Sequence, residues 1–193
     1  MVNYTLKQKI IKFLIENKDS KHSIREISQK LKADYKNTSQ ALSKINPRTH
    51  SKIKQGNSYI IDFSPDNNIE ILSVEKKRTE DFFSKNLKLK VLKKYIQELN
   101  YPFLVVLAFG SYIKRTNTKN SDIDICIILD NKAKSIELNE KLNLLSLNLE
   151  IQEFTSKEFV SMIEKKQNNL GNEIVKNNII LYGTENYYNL ISI

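Results

Sequence analysis

Two aspartates one residue apart inside an apolar run constrain this chain more than any other feature. From Leu107 to Leu129 it reads LAFGSYIKRTNTKNSDIDICIIL. The preceding segment FLVVLAF, residues 103–109, predicts a buried strand that Gly110 and Ser111 end at once. YIKR suits the first turn of a short helix, NTKNS a turn, and DIDICIIL a second strand. Alternate residues of a strand share a face, so Asp122, Asp124 and Cys126 point one way and Ile123, Ile125 and Ile127 the other. A carboxylate among buried apolar residues is costly, and two on one face repel each other unless a cation lies between them. Mg²⁺ fits that role, because it takes oxygen ligands and usually shares them with substrate phosphates. Cys126 is a poor ligand for such a cation and reads as packing.

The chain of 193 residues is long enough for one large or two small domains. It has no apolar run long enough to cross a membrane, and its opening residues lack the apolar core and cleavage site of a secretory signal. The single cysteine excludes an internal disulfide framework and points to the cytoplasm. The net charge of +9 is unevenly placed. Residues 1–64 carry 13 Lys and Arg against 5 Asp and Glu, whereas residues 65–193 carry 18 against 17. Lysine-rich composition alone would load both parts alike, so the asymmetry points to an anionic partner for the first.

That first part predicts three helices and a hairpin. TLKQKIIKFLIEN aligns Leu6, Ile10, Ile11, Leu14 and Ile15 on one stripe. HSIREISQKLKA opens with Ser23 and Glu26 in capping-box spacing and buries Ile24, Ile27 and Leu31. Asp34 can cap YKNTSQALSKI, whose apolar face is Tyr35, Thr38, Ala41, Leu42 and Ile45, and Pro47 ends it. SKIKQGNSYIIDF then has two strand-like halves around Gly56-Asn57. His50 reads as an ordinary surface side chain.

Residues 3–64 resemble a winged helix-turn-helix domain. The resemblance implies a third helix in the major groove of duplex DNA and a hairpin wing on the backbone phosphates. It places Lys36, Asn37, Ser39, Gln40 and Lys44 on the helix surface, and Arg48, Lys52 and Lys54 at or near the wing. The cations would supply phosphate affinity, and Asn37 or Gln40 could read base edges. A basic face used for dimerisation or partner binding is the other reading, and homodimers are common in this family.

SPDNN, residues 64–68, marks a boundary, and the following segment predicts a helix interrupted near Asn86. The expected organisation is residues 1–64 as a winged-helix domain, 65–85 as a linker helix and 86–193 as a second domain.

The apolar strand, Gly-Ser, a ten-residue spacer and Asp-x-Asp strongly resemble the nucleotidyltransferases of the DNA polymerase beta superfamily, closest to its minimal branch. Gly110, Ser111, Tyr112, Lys114, Ser121, Asp122, Ile123 and Asp124 follow that pattern. Ile113 and Arg115 stand where the family favours alanine and glycine. The resemblance extends over about residues 86–185 and implies an α+β fold, a mixed sheet flanked by helices. It implies a glycine that lets the backbone approach a nucleotide's phosphates, with Ser111 and Ser121 beside it. Asp122 and Asp124 would hold Mg²⁺ or Mn²⁺ on the triphosphate of an NTP, with ATP the family's usual donor. Lys114 or Arg115 could neutralise further phosphate charge.

The family's third carboxylate lies on a later strand, and LNLEIQEF, residues 147–154, offers Glu150 in place of aspartate. It would bind metal or deprotonate the acceptor hydroxyl; otherwise it is a polar residue on a half-exposed strand. TSKEFVSMIEKK turns Phe159, Met162 and Ile163 inward, and the remainder resembles the closing segment of archaeal relatives. Tyr182, Tyr187 and Tyr188 read as packing residues. Relatives in the minimal branch include antitoxins that adenylylate a HEPN-type toxin, which implies a possible protein acceptor. The rival expectation is a DNA-binding regulator whose nucleotidyltransferase fold only senses nucleotide; a structured RNA held as substrate is a third.

Overall fold

A computed structural model of the chain describes residues 2–192 apart from 57, 99, 100, 115, 117, 119, 120, 166 and 167, and apart from the side chain at 88. The chain divides into two compact units, Met1–Lys77 with Ser192, and Arg78–Ile191.

The first unit contains α1 (Leu6–Glu16), β1 (His22–Ser23), α2 (Ile24–Lys30), α3 (Tyr35–Ser43), β2 (His50–Gln55), β3 (Ser58–Phe63) and the start of α4 (Ile69–Lys85). Thr5 and Gln8 form a full capping box at α1, and its stripe of Ile10, Ile11, Leu14 and Ile15 is buried. Ser23 caps α2 through the Glu26 amide at 3.1 Å. The reciprocal arm of that box is replaced, because the Glu26 carboxylate instead lies 2.9 Å from His22 Nδ1. Asp34 caps α3 through the Asn37 amide at 2.9 Å.

Helix α3 buries Thr38 and Leu42, but Tyr35, which the spacing puts on the buried face, is 55% exposed. Side chains of a helix lean toward its N-terminus, so a ring at the first helical position projects past the turn that packs. Strands β2 and β3 pair antiparallel, with Gln55 opposite Ser58 and Gly56 at a φ of 58°. Residue 57, the second half of the expected turn, lies outside the described residues. The two-residue β1 pairs with β3, giving the order β1-β3-β2, an addition too short for any periodicity to reveal. His50 is not the plain surface residue expected. It is half-buried, its Nδ1 lies inside without a hydrogen-bond partner among the described residues, and burial, aided by Lys52, lowers its pKa.

The second unit takes α4 from Arg78 onward, a 3-10 turn at Leu87–Leu89, α5 (Lys90–Glu98), β4 (Val105–Ala108), α6 (Gly110–Lys114), β5 (Ile123–Ile128), α7 (Lys132–Asn143), β6 (Leu149–Phe154), α8 (Ser156–Glu164), α9 (Leu170–Lys176), β7 (Ile179–Tyr182) and α10 (Thr184–Ile191). The helix breaks at Asn86, whose side chain turns back to donate to the Phe82 carbonyl at 2.8 Å. The sheet order is β6-β5-β4-β7. β4 runs antiparallel to both β5 and β7, while β5 and β6 are parallel and joined through α7. The sheet is therefore mixed, as the α+β expectation required.

Alternation along the strands sorts its two faces. Val106, Ala108, Ile123, Ile125 and Ile127 pack with Leu92 and Ile96 of α5 and Leu138 and Leu142 of α7. Phe154, on the opposite face, meets Phe159 of α8. Met162 and Ile163, expected inward with Phe159, are half-buried. Arg78 and Thr79 tie α4 to the carbonyls of Asn178 and Ile180, at 2.9 and 2.5 Å. Tyr187 and Tyr188 are fully buried and meet edge to face, so their role is packing. Among the described residues no helix is long and apolar enough to cross a membrane.

Candidate active site

The site grows from the end of β4. Residues Val105–Ala108 are fully buried, and their pairing with β5 continues one step further, because the Phe109 amide donates to the Asp124 carbonyl at 3.0 Å. Gly110 then leaves the strand with a φ of 69°, in the left-handed region, and begins α6, which packs against β5. A Cβ at position 110 would overlap the carboxylate of Asp124. The glycine therefore serves two purposes: it permits the sharp turn, and it leaves space over an aspartate side chain.

Strand β5 is buried at every position except Asp124, which is half-exposed, and Asp122, just before the strand, is exposed. Cys126 shares the Asp124 face but is wholly buried, and its thiol pKa is pushed up to about 12 by that burial. It stays protonated and apolar in character, as the sequence implied. Glu150 lies directly opposite Asp124 in the parallel register of β5 and β6. It is exposed, and its Oε1 accepts from the Gln152 amide at 3.3 Å.

Among the described residues no three His, Cys, Asp or Glu side chains gather closely enough to hold a metal ion. Glu150 is thus a backbone neighbour of Asp124 whose carboxylate is not drawn in with the two aspartates. The donor set that remains is two carboxylates of hard oxygen, one exposed and one half-exposed, beside a glycine whose missing side chain makes room for the Asp124 carboxylate. It fits a divalent cation that completes its shell with phosphate oxygens.

The flanking candidates are placed as follows. Ser111 is half-buried in α6, and its carbonyl accepts from the Thr116 amide at 3.0 Å. Ser121 uses its hydroxyl locally, accepting from the Thr118 amide at 2.8 Å, so it shapes the loop that delivers Asp122. Lys114 ends α6 and lies 2.7 Å from Glu173 of α9. No sequence signal could have found Glu173 as its partner, because the pair spans 59 positions without a shared motif. Arg115 lies outside the described residues, as does part of the spacer turn.

Residues 90–187, just over half of the chain, match the family model described as polymerase beta, nucleotidyltransferase. The chain belongs to the polymerase beta nucleotidyltransferase family. No curated protein and no solved structure matches it. Membership makes it a nucleotidyltransferase in kind, of a family that generally works on NTPs with divalent metals.

The candidates in the first unit form a separate group. Lys36, Asn37 and Gln40 of α3 and Lys44 just after it are all exposed, and Ser39 is half-buried. Arg48, Lys52 and Lys54 are exposed as well. Arg48 approaches Asp66 at 3.6 Å, and the Lys52 ammonium sits 4.1 Å above the ring of Tyr59. The described geometry leaves these side chains open to a partner.

Proposed function

We propose that the second unit transfers a nucleoside monophosphate, AMP by preference, from an NTP to a hydroxyl acceptor and releases pyrophosphate. The single observation that carries this reading is the Gly110–Asp124 contact. A glycine in the left-handed region is placed where any side chain would strike a carboxylate that the strand otherwise has no reason to contain. Asp122 and Asp124 would hold Mg²⁺ or Mn²⁺. When bound, the metal would offset charge on the triphosphate and on the departing pyrophosphate. Gly110 lets the backbone approach the phosphates, and the Ser111 hydroxyl offers them a donor. Lys114 adds positive charge once it is released from Glu173. Glu150, opposite Asp124, is near enough along the sheet to take the acceptor's proton if its side chain turns inward. A protein hydroxyl, such as a tyrosine of a HEPN-type toxin, is the acceptor that the resemblance to antitoxins suggests.

The first unit acts in this reading as a winged helix that grips duplex DNA, with α3 in the major groove and the β2–β3 hairpin along the backbone. Its support is the excess of positive charge in residues 1–64 and the exposure of Lys36, Asn37, Gln40, Lys44, Arg48, Lys52 and Lys54.

A second reading, a DNA-binding regulator that senses nucleotide without turnover, is favoured by one observation: Glu150 is not gathered with the aspartates. Self-labelling and pyrophosphate release from each α-labelled NTP with Mg²⁺, with and without cell extract, decide between the two. Labelling that disappears in Asp122→Asn/Asp124→Asn supports transfer. Metal-dependent NTP binding with no labelled product in extract supports the sensor.

A further inference from the structure

The first unit holds a cavity of about 660 Å³ that none of the expected DNA contacts lines. Its wall combines Arg25, Ser28 and Gln29 of α2, Tyr35 at the start of α3, and Ser58 and Tyr59 at the start of β3. Arg25 is the one charged residue among those lining it, and no described carboxylate pairs with that guanidinium. The two tyrosines are 55% and 43% exposed, so sizeable aromatic surface faces solvent at a concave site. The Lys52 ammonium above Tyr59 steadies that ring and fixes a second positive charge beside the opening.

A purely apolar cavity would suit a lipid or an aliphatic side chain, and a purely basic one a bare phosphate. Aromatic rings, a free guanidinium, an amide and hydroxyls together match a flat base joined to a phosphate. Tyrosine rings stack on bases, Arg pairs with phosphate, and Gln and Ser hydrogen-bond to base edges. The volume lies within the range of small-ligand sites. We propose that this cavity is a nucleotide site separate from the transferase centre, taking one unpaired nucleotide. That nucleotide is supplied either by a nucleic-acid strand or as a free mononucleotide. The proposal deepens the nucleic-acid reading of the first unit and rests on it for its charge argument.

The test uses the full-length chain in EDTA, so that metal-dependent binding at the aspartates is suppressed. The probes are a DNA duplex with one bulged 2-aminopurine, the same duplex with the 2-aminopurine paired, and AMP. The bulged probe is expected to bind more tightly than the paired one and to lose fluorescence on binding. Tyr35→Ala/Tyr59→Ala should weaken it about tenfold and the paired duplex by clearly less. Tyr35→Phe/Tyr59→Phe should restore it, which separates stacking from misfolding.

Displacement of the bulged probe by AMP assigns the site to a free nucleotide, and retention assigns it to a strand. If the bulged probe binds in a tyrosine-dependent way and the paired duplex does not bind, the groove-reading role of α3 falls and the cavity stands. If the alanine pair changes neither bulged-probe nor AMP binding, or weakens both duplexes equally, the proposal is overturned.

Discussion

Strands β2 and β5 are the same length, yet they carry their charged residues in opposite ways. β2 is exposed from Ser51 to Gln55 and bears Lys52 and Lys54 in the open. β5 is buried at every position but one and bears Asp124 at that one. A lysine on an exposed strand costs little to place, since its stem can lie on the surface while its charge stays in water. Its presence alone therefore says little about function, and only the summed charge of residues 1–64 gives it weight. A carboxylate among isoleucines is expensive to place, so its presence alone is informative. Burial decides how much a single charged residue can tell.

The sharpest way to break the comparison is through the two glycines that serve these strands. Gly110 and Gly56 both have positive φ, at 69° and 58°. A Cβ at 110 would overlap Asp124, whereas one at 56 would meet nothing within 4 Å. Gly110→Ala should therefore displace the carboxylate as well as strain the backbone. Displacement of a reacting group by about an ångström costs on the order of 100-fold in rate, which nucleotide transfer by purified protein would measure. Gly56→Ala carries only the left-handed strain, about 1–2 kcal/mol, and should leave transfer unchanged. Equal losses from both substitutions would mean that Gly110 matters for folding alone.

The same contrast explains what the sequence could convey. The strand, glycine and Asp-x-Asp order was legible because it is local: β4, α6 and β5 follow one another with little else between them. The helix starts at Ser23 and Asp34 obey capping chemistry that works over three residues, although Glu26 turned to His22 instead of closing its box. Tyr35 was misplaced because periodicity ignores where a helix begins. The facts that were not legible are long-range ones. The Lys114–Glu173 pair, the pairing of β1 with β3, and the position of Glu150 opposite Asp124 depend on a register that the fold supplies. Whether a glutamate turns toward its neighbour is set by side-chain reach, which pattern does not encode.

The next effect tests β2. Lys52→Ala/Lys54→Ala removes two exposed charges that are proposed to lie along DNA phosphates, with no buried atoms lost. Duplex affinity at low salt should fall about tenfold, and the slope of log affinity against log salt should shrink by about 2. An unchanged slope would show that the hairpin does not touch the backbone, leaving α3 as the carrier of any charge effect.

A milder effect comes from Lys114, half-exposed and paired with Glu173. An exposed ion pair contributes at most about 1 kcal/mol to stability, so Glu173→Gln should scarcely move the unfolding midpoint. If Lys114 turns to phosphate, freeing it should lower KM for NTP severalfold with kcat unchanged, the pattern of a gain in uniform binding. Lys114→Ala should raise KM in the same assay. A KM indifferent to both would reduce the pair to surface decoration.

The smallest effect lies at the base of β2. Burial first, and Lys52 second, lower the pKa of His50 below its ordinary value, while Glu70 acts the other way. The folded chain thus resists a proton that the unfolded chain accepts near pH 6.5. The stability owed to the neutral ring is complete above that pH and declines as pH falls through it toward the lowered folded pKa. Urea midpoints of the full chain at pH 7.5 and 5.5 should therefore differ more for the wild type than for His50→Gln, which cannot titrate. Amide exchange along β2 and β3 would place the loss. Other residues titrating in this range contribute equally to both proteins, so the difference between them isolates one ring. If the two respond alike, the buried Nδ1–H finds a hydrogen-bond acceptor on acidification, and the base of the hairpin adapts to a charge that its burial would otherwise disfavour.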